Sequence, residues 1–172
     1  MNTKNNSRRR ASQEKIEKAF VELLQSKELS RIAVSEICEM TGLNRSTFYA
    51  NYLDIYDLAD KVREKLESEF AVAFADYNVH TERSGALRMF THIKENQLFY
   101  KTYFKLCYDE KHNIAPYDHI RAEKENMVEN MRYHIEFFRP GFNAIVKMWL
   151  AGGCRETPEE MAAVLMAEYR GR

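Results

Sequence analysis

Arg45, Ser46, Thr47, Tyr49, Ala50 and Asn51 fall within seven consecutive positions, and few of them would be chosen for burial. Their chemistry suits a nucleic acid. A guanidinium can pair bidentately with a guanine edge, Thr and Asn can serve bases or phosphates, and a phenol can donate to a phosphate. Wound as a helix, the segment presents such groups outward and Phe48 inward, a shape that fits a major groove. The residues that must position it come just before. Two short helices are expected, Val34 to about Thr41 and Arg45 to about Asn51, joined through Thr41-Gly42-Leu43-Asn44. Gly42 can adopt the left-handed backbone that ends one helix, and Asn44 can accept from the amides that open the next. Small Cys38 lets the helices approach, and Ile37, Leu43 and Phe48 fill the space between them. This is a helix-turn-helix; a helical corner with no DNA role shares the pattern.

The rest of the chain reads as helical. Ser12 can cap a first helix in which Ile16, Ala19, Phe20, Leu23 and Leu24 form one stripe, ending near Ser26. Asp54 can cap a long helix carrying Ile55, Leu58, Val62, Leu66, Phe70 and Phe74 toward Tyr77. Further helices are expected near 84–95, 96–108, 118–138, 141–153 and 158–170, with the break before Pro140-Gly141 and Thr157-Pro158 opening the last. Residues 43–84 hold neither Gly nor Pro, so the turns of a multi-stranded sheet are missing. The expected fold is therefore all-α, with about nine helices. Zero net charge hides an asymmetry: residues 1–53 carry nine Lys/Arg against six acids, and residues 54–172 carry seventeen against twenty. Lys4, Arg8, Arg9 and Arg10 make an acid-free basic segment, which suits phosphate attraction or a merely solvated tail.

The run Ile37-Cys38-Glu39-x-x-Gly42-Leu43-Asn44-Arg45-Ser46-Thr47-Phe48-Tyr49-x-Asn51-Tyr52, preceded by the Ile16/Ala19/Phe20 helix and followed by Asp57-Leu58, resembles the DNA-binding domain of the tetracycline-repressor-like (TetR/AcrR) regulators over residues 9–66. The resemblance implies a homodimer of all-helical subunits on double-stranded DNA, with a near-palindromic operator. Residues 1–53 would form the DNA-binding domain and 54–172 the regulatory and dimerisation domain. It implies a repressor released by a small-molecule or protein effector; the alternative is a regulator-fold adaptor or co-activator with no small ligand. The expected DNA-binding set is Arg10, Ser35, Asn44, Arg45, Ser46, Thr47, Tyr49, Ala50 and Asn51, with Tyr52 as a packing aromatic. Two departures stand out. Ala33 occupies a position where Thr often caps the second helix, leaving Ser35 or water to serve its amides, and Ile55 occupies one where a phosphate-binding Lys is common.

Phe90, Phe99, Tyr103, Phe104, Tyr133 and Phe137 could line an effector pocket, or could be core. Toward the C-terminus two helices are apolar on two sides, which calls for a second copy as well as the chain's own core. Phe142, Ile145, Trp149, Met161, Leu165, Met166 and Tyr169 are the expected dimer residues, with an ordinary core hairpin as the rival reading. Three scattered cysteines match no zinc frame or disulfide pattern and suggest a reducing, cytoplasmic setting. Cys107, His112, Asp118 and His119 have no fixed ligand spacing, so no metal or cofactor is expected. Carboxylates sit on outer faces with no nucleophile motif or Gly-rich phosphate loop beside them, so catalysis is not expected. Nothing approaches the roughly 18 consecutive apolar residues of a membrane span.

Overall fold

A computed structural model of the chain describes residues 3–73, 82–107 and 131–170. Every regular element in them is helical: α1 (Thr3–Ser26), a 3-10 turn (Leu29–Arg31), α2 (Val34–Thr41), α3 (Arg45–Tyr49), α4 (Ile55–Ala73), α5 (Glu82–Glu95), α6 (Gln97–Leu106), α7 (Met131–Ala151) and α8 (Pro158–Arg170). The all-α expectation holds. Residues 1–2, 74–81, 108–130 and 171–172 lie outside the described set, and with them most of the expected 118–138 helix, His112, Asp118 and His119.

Two helices run past their expected ends. α1 begins at Thr3, so the arginines at 8–10 are helical and Ser12 is an interior residue, not a cap. Its hydroxyl donates to the Arg8 carbonyl at 3.1 Å, a back-bond to residue i−4 that lets Ser sit within a helix. α7 continues through Pro140 and Gly141, where a stop was expected. An interior proline costs a helix about 3 kcal/mol. The stripe beyond it, with Phe142, Val146, Trp149 and Leu150 all buried, supplies apolar burial that exceeds this.

The chain divides into two compact units, Met1–Ser68 with Lys101–Tyr108, and Glu69–Tyr100 with Asp109–Arg172. In the first, Ile16, Ala19, Phe20 and Leu24 of α1 pack with Ile37, Phe48, Tyr52, Ile55, Leu58, Val62 and Leu106. The stripe read from the sequence faces this core, with Leu23 only partly buried against it. Lys105 closes α1, donating from Nζ to the carbonyls of Leu24 at 2.6 Å and Gln25 at 3.0 Å, which its last turn leaves without intrahelical partners. In the second unit α5 packs along α8. Phe90 lies fully buried, its ring 5.5 Å from Trp149 in an edge-to-face pair and 6.0 Å from Phe142. Tyr100 is also buried, its hydroxyl 2.6 Å from His92 Nδ1. Burial lowers the His92 pKa and raises that of Tyr100, so at neutral pH both groups of this bonded pair are uncharged.

The α7–α8 turn follows local rules. Gly153 takes the left-handed φ of 78°, Cys154 N–H donates to Trp149 O at 2.9 Å, and Gly153 N–H donates to Leu150 O at 3.2 Å, which is a Schellman stop. Thr157 then opens α8 as expected. Its Oγ1 accepts from Glu160 N–H at 3.2 Å while Glu160 Oε2 accepts from Thr157 N–H at 2.7 Å.

Candidate nucleic-acid interface

The joint between α2 and α3 is built as its residue types demand. Gly42 closes α2 with φ 68°, a backbone that side-chain-bearing residues rarely adopt. Asn44 opens α3 through its extended backbone and its carbonyl, which accepts from Thr47 N–H at 2.9 Å and Phe48 N–H at 3.2 Å. Its side chain makes no capping bond and stays exposed, a correction to the expected side-chain cap. At the other end of α2, Ala33 stands at the N-cap. Glu36 Oε2 accepts the Ala33 N–H at 3.1 Å, but the Ala33 side chain offers no cap to the first-turn amides of α2. Lys27 pairs with the same carboxylate, and together these hold the Glu36 carboxyl below its usual value.

Phe48 is fully buried, and the Tyr52 ring lies 5.6 Å from it. Tyr52 is the packing aromatic the sequence indicated; its hydroxyl donates to Glu17 Oε1 at 3.1 Å. With Phe48 turned inward, Arg45, Ser46, Tyr49 and Ala50 are exposed and Thr47 is half-buried. Tyr49 keeps 56% of its surface, its ring set edge-on to Phe48 at 5.4 Å. Ser35, Asn44 and Arg10 are exposed as well.

Asn51 differs from the expectation. Only 9% exposed, it lies beneath the exposed face of α3, at the floor of a concavity. Its Nδ2 donates to Thr47 O at 2.8 Å, and its Oδ1 accepts from Arg9 Nε at 3.1 Å. This bond between positions 42 apart ties the first half of α1 to the end of α3. Arg9 itself was read only as part of a basic segment, and no local signal links it to Asn51. Between the two helices lies a shallow concavity whose lining includes Arg8, Arg9, Ser12, Ser46, Thr47 and Asn51.

The start of α4 leaves little for a phosphate. Asp54 Oδ1 accepts from Tyr56 N–H and Asp57 N–H, both at 2.8 Å, while Asp57 Oδ2 accepts from Leu53 N–H at 2.8 Å. Three amides at this helix entry thus bond to carboxylates. Lys61 is engaged too: its Nζ lies 2.9 Å from Asp57 Oδ2, donates to Asn51 O at 3.2 Å, and sits 5.1 Å from the Tyr52 ring centre. That ammonium, with the Leu53 N–H, holds the Asp57 carboxyl below its ordinary value. Ile55, where a lysine was the family expectation, is buried in the core.

The residues expected around an effector lie in different environments. Phe90 and Tyr103 are buried, Phe99 and Phe104 half-buried, and Tyr133 and Phe137 are 74% and 64% exposed. Of the expected dimer residues, Phe142, Trp149, Met161 and Leu165 are buried in their own unit, and Ile145 and Met166 are half-buried. The side chain of Tyr169 lies outside the described residues. Among the described residues, the exposed large apolar side chains of these helices are Tyr133, Phe137 and Met148 along one face of α7, with Val164 on α8. Sequence period reveals two apolar sides but not which one faces inward. Among the described residues no cluster of His, Cys, Asp and Glu could hold a metal ion, and no helix is long and apolar enough to cross a membrane.

Residues 81–167 match a family model described as "Transcriptional regulator C-terminal region". Over 101 residues the chain is 29% identical to the HTH-type dhaKLM operon transcriptional activator DhaS of Lactococcus lactis subsp. lactis (strain IL1403), covering 59% of this chain and 53% of that protein. The chain thus spans about half the length of that curated relative. A solved structure, the dihydroxyacetone kinase operon activator DhaS, aligns with 91% of this chain and 92% of its own at a TM-score of 0.50 and 19% identity, which is a likeness of fold.

Proposed function

We propose that this chain, which belongs to the tetracycline-repressor-like (TetR) transcriptional regulators and so to a family of regulators rather than enzymes, binds a near-palindromic operator as a homodimer. Residues 1–53 serve as the DNA-binding part and residues 54–172 as the regulatory and dimerisation part. The observation that carries the reading is the outward face of α3, where Arg45, Ser46, Tyr49 and Ala50 stand exposed over a buried Phe48. Two such helices enter successive major grooves when a dimer sets them about 34–36 Å apart. The exposed stripe of Tyr133, Phe137 and Met148 with Val164 offers the dimer surface, α7 and α8 of two copies making a four-helix contact.

Repression would follow from occupying the operator. An effector that binds better when the two heads are splayed would shift the population to a form that no longer matches the half-site spacing. A second reading is favoured by the names of the two relatives, both operon activators: a protein partner on the regulatory part, with the operator-bound dimer recruiting it. Selection of bound fragments from a random DNA pool, repeated at two salt concentrations, tests the binding claim. A recovered inverted repeat supports it, whereas a pool with no enrichment refutes it. A reporter gene placed behind that repeat then gives the sign of regulation.

A further inference from the structure

We infer that the concavity between α1 and α3 seats a phosphate of the duplex backbone, with Arg9 as its cation and Asn51 as the buried residue that positions Arg9. This rests on the DNA-binding reading above and adds to it a contact site and a positioning residue. Asn51 Oδ1 accepts the Nε proton of Arg9 at 3.1 Å, while the Asn51 amide is anchored in turn on Thr47 O at 2.8 Å. An arginine held by Nε presents its Nη edge in a fixed direction, and that edge has no hydrogen-bond partner among the described residues. The guanidinium fork matches phosphate oxygens in geometry and charge, and a side chain already held in place loses less entropy on binding.

The surroundings agree. Arg8 adds a second cation, Ser46 and Thr47 bring hydroxyls from α3, and no carboxylate is among the lining residues. The usual alternative seat is closed: at the start of α4 the amides of Leu53, Tyr56 and Asp57 bond to Asp54 and Asp57, Lys61 is paired with Asp57, and Ile55 is buried. Asn51, 91% covered and with both ends of its amide already bonded, acts through Arg9.

The test uses the full chain and a duplex recovered from the random pool, with affinity followed by fluorescence anisotropy across a salt series. Each phosphate contact contributes about 0.9 to the slope of log affinity against log salt. Arg9→Ala should therefore flatten the slope by about 0.9 per bound subunit and weaken binding roughly eightfold per subunit at about 0.1 M salt. The factor should be the same on the operator and on an unrelated duplex. Asn51→Ala should act in the same direction, and should add little to Arg9→Ala. Asn51→Asp, which places a carboxylate on the guanidinium but exchanges the Nδ2 donor to Thr47 O for an acceptor, should also flatten the slope, with circular dichroism checking that the variant folds. An Arg9→Ala slope equal to wild type, a loss confined to one base position, or fully additive Arg9 and Asn51 effects would overturn the inference while the operator reading stands. Failure of the unmodified chain to bind any duplex would overturn both. If an Asn51 variant does not fold, the Arg9→Ala slope, at an exposed position, still decides the phosphate contact.

Discussion

Replacing Ala33 by Ser should stabilise the first compact unit without altering the outward face of α3. The Ala33 backbone is already extended, with φ −108° and ψ 145°, as the residue before a first helical turn must be. Glu36 accepts its N–H at 3.1 Å, so one half of a reciprocal capping box exists. The other half is missing because a methyl cannot accept a hydrogen bond. A serine hydroxyl at this position supplies the acceptor for an amide of the first turn of α2, and such exchanges are worth about 1 kcal/mol, within a range of roughly 0.5–2. α2 carries fully buried Ile37 into the unit's core, so the gain is felt in cooperative unfolding. In a chain of this size about 1 kcal/mol corresponds to a rise of roughly 2–4 °C in Tm. Thermal unfolding followed by circular dichroism, with urea titration as a second measure, reads it directly. An unchanged or lowered midpoint would show that water already serves those amides at no cost, and the capping argument would fail.

Four other outcomes follow from the same geometry. Glu36 has a lowered folded-state pKa because of Lys27 and the Ala33 N–H, so its stabilising contribution is complete above its ordinary value of 4.5 and is lost as pH falls through the folded value; Glu36→Gln should blunt this acid sensitivity in a pH series of urea midpoints. Phe48→Ala, at a site with no exposed surface, should cost about 3–5 kcal/mol in urea unfolding, and a loss under about 1 kcal/mol would mean Phe48 does not hold α3 in place. Arg45→Ala should cost about 1–3 kcal/mol and relax preference at one base position; equal loss on all sequences would make Arg45 a phosphate contact. Met148→Asp, on a side chain 71% exposed, should shift sedimentation toward monomer and weaken operator binding together, and a persistent dimer would place the interface elsewhere.

Much of the fold was legible because its determinants are local. Gly42, Asp54 and Thr157 end or open helices where the chain needs a left-handed backbone or an oxygen acceptor, and the structure puts each in that role. The Ile16, Ala19, Phe20, Leu24 stripe and the inward Phe48 follow from helical period alone. Where the reading slipped, a local signal was outweighed. Ser12 resembles a cap, yet nothing in Thr3–Ala11 breaks a helix, so α1 runs through it. Pro140 resembles a stop, yet the apolar stripe on its far side stays in phase and holds α7 together.

By itself the sequence determined the helical class, the two short helices and their joint, and the polar face that α3 turns outward, all of which depend on neighbours three or four residues apart. Tertiary structure alone decided that Asn51 is buried, that Arg9 is bound to it, that Ile55 belongs to the core, and which side of α7 is covered. Those outcomes come from pairings across dozens of residues, where side-chain volume and polar satisfaction in a shared core choose the partners, and spacing along the chain carries no information about that choice.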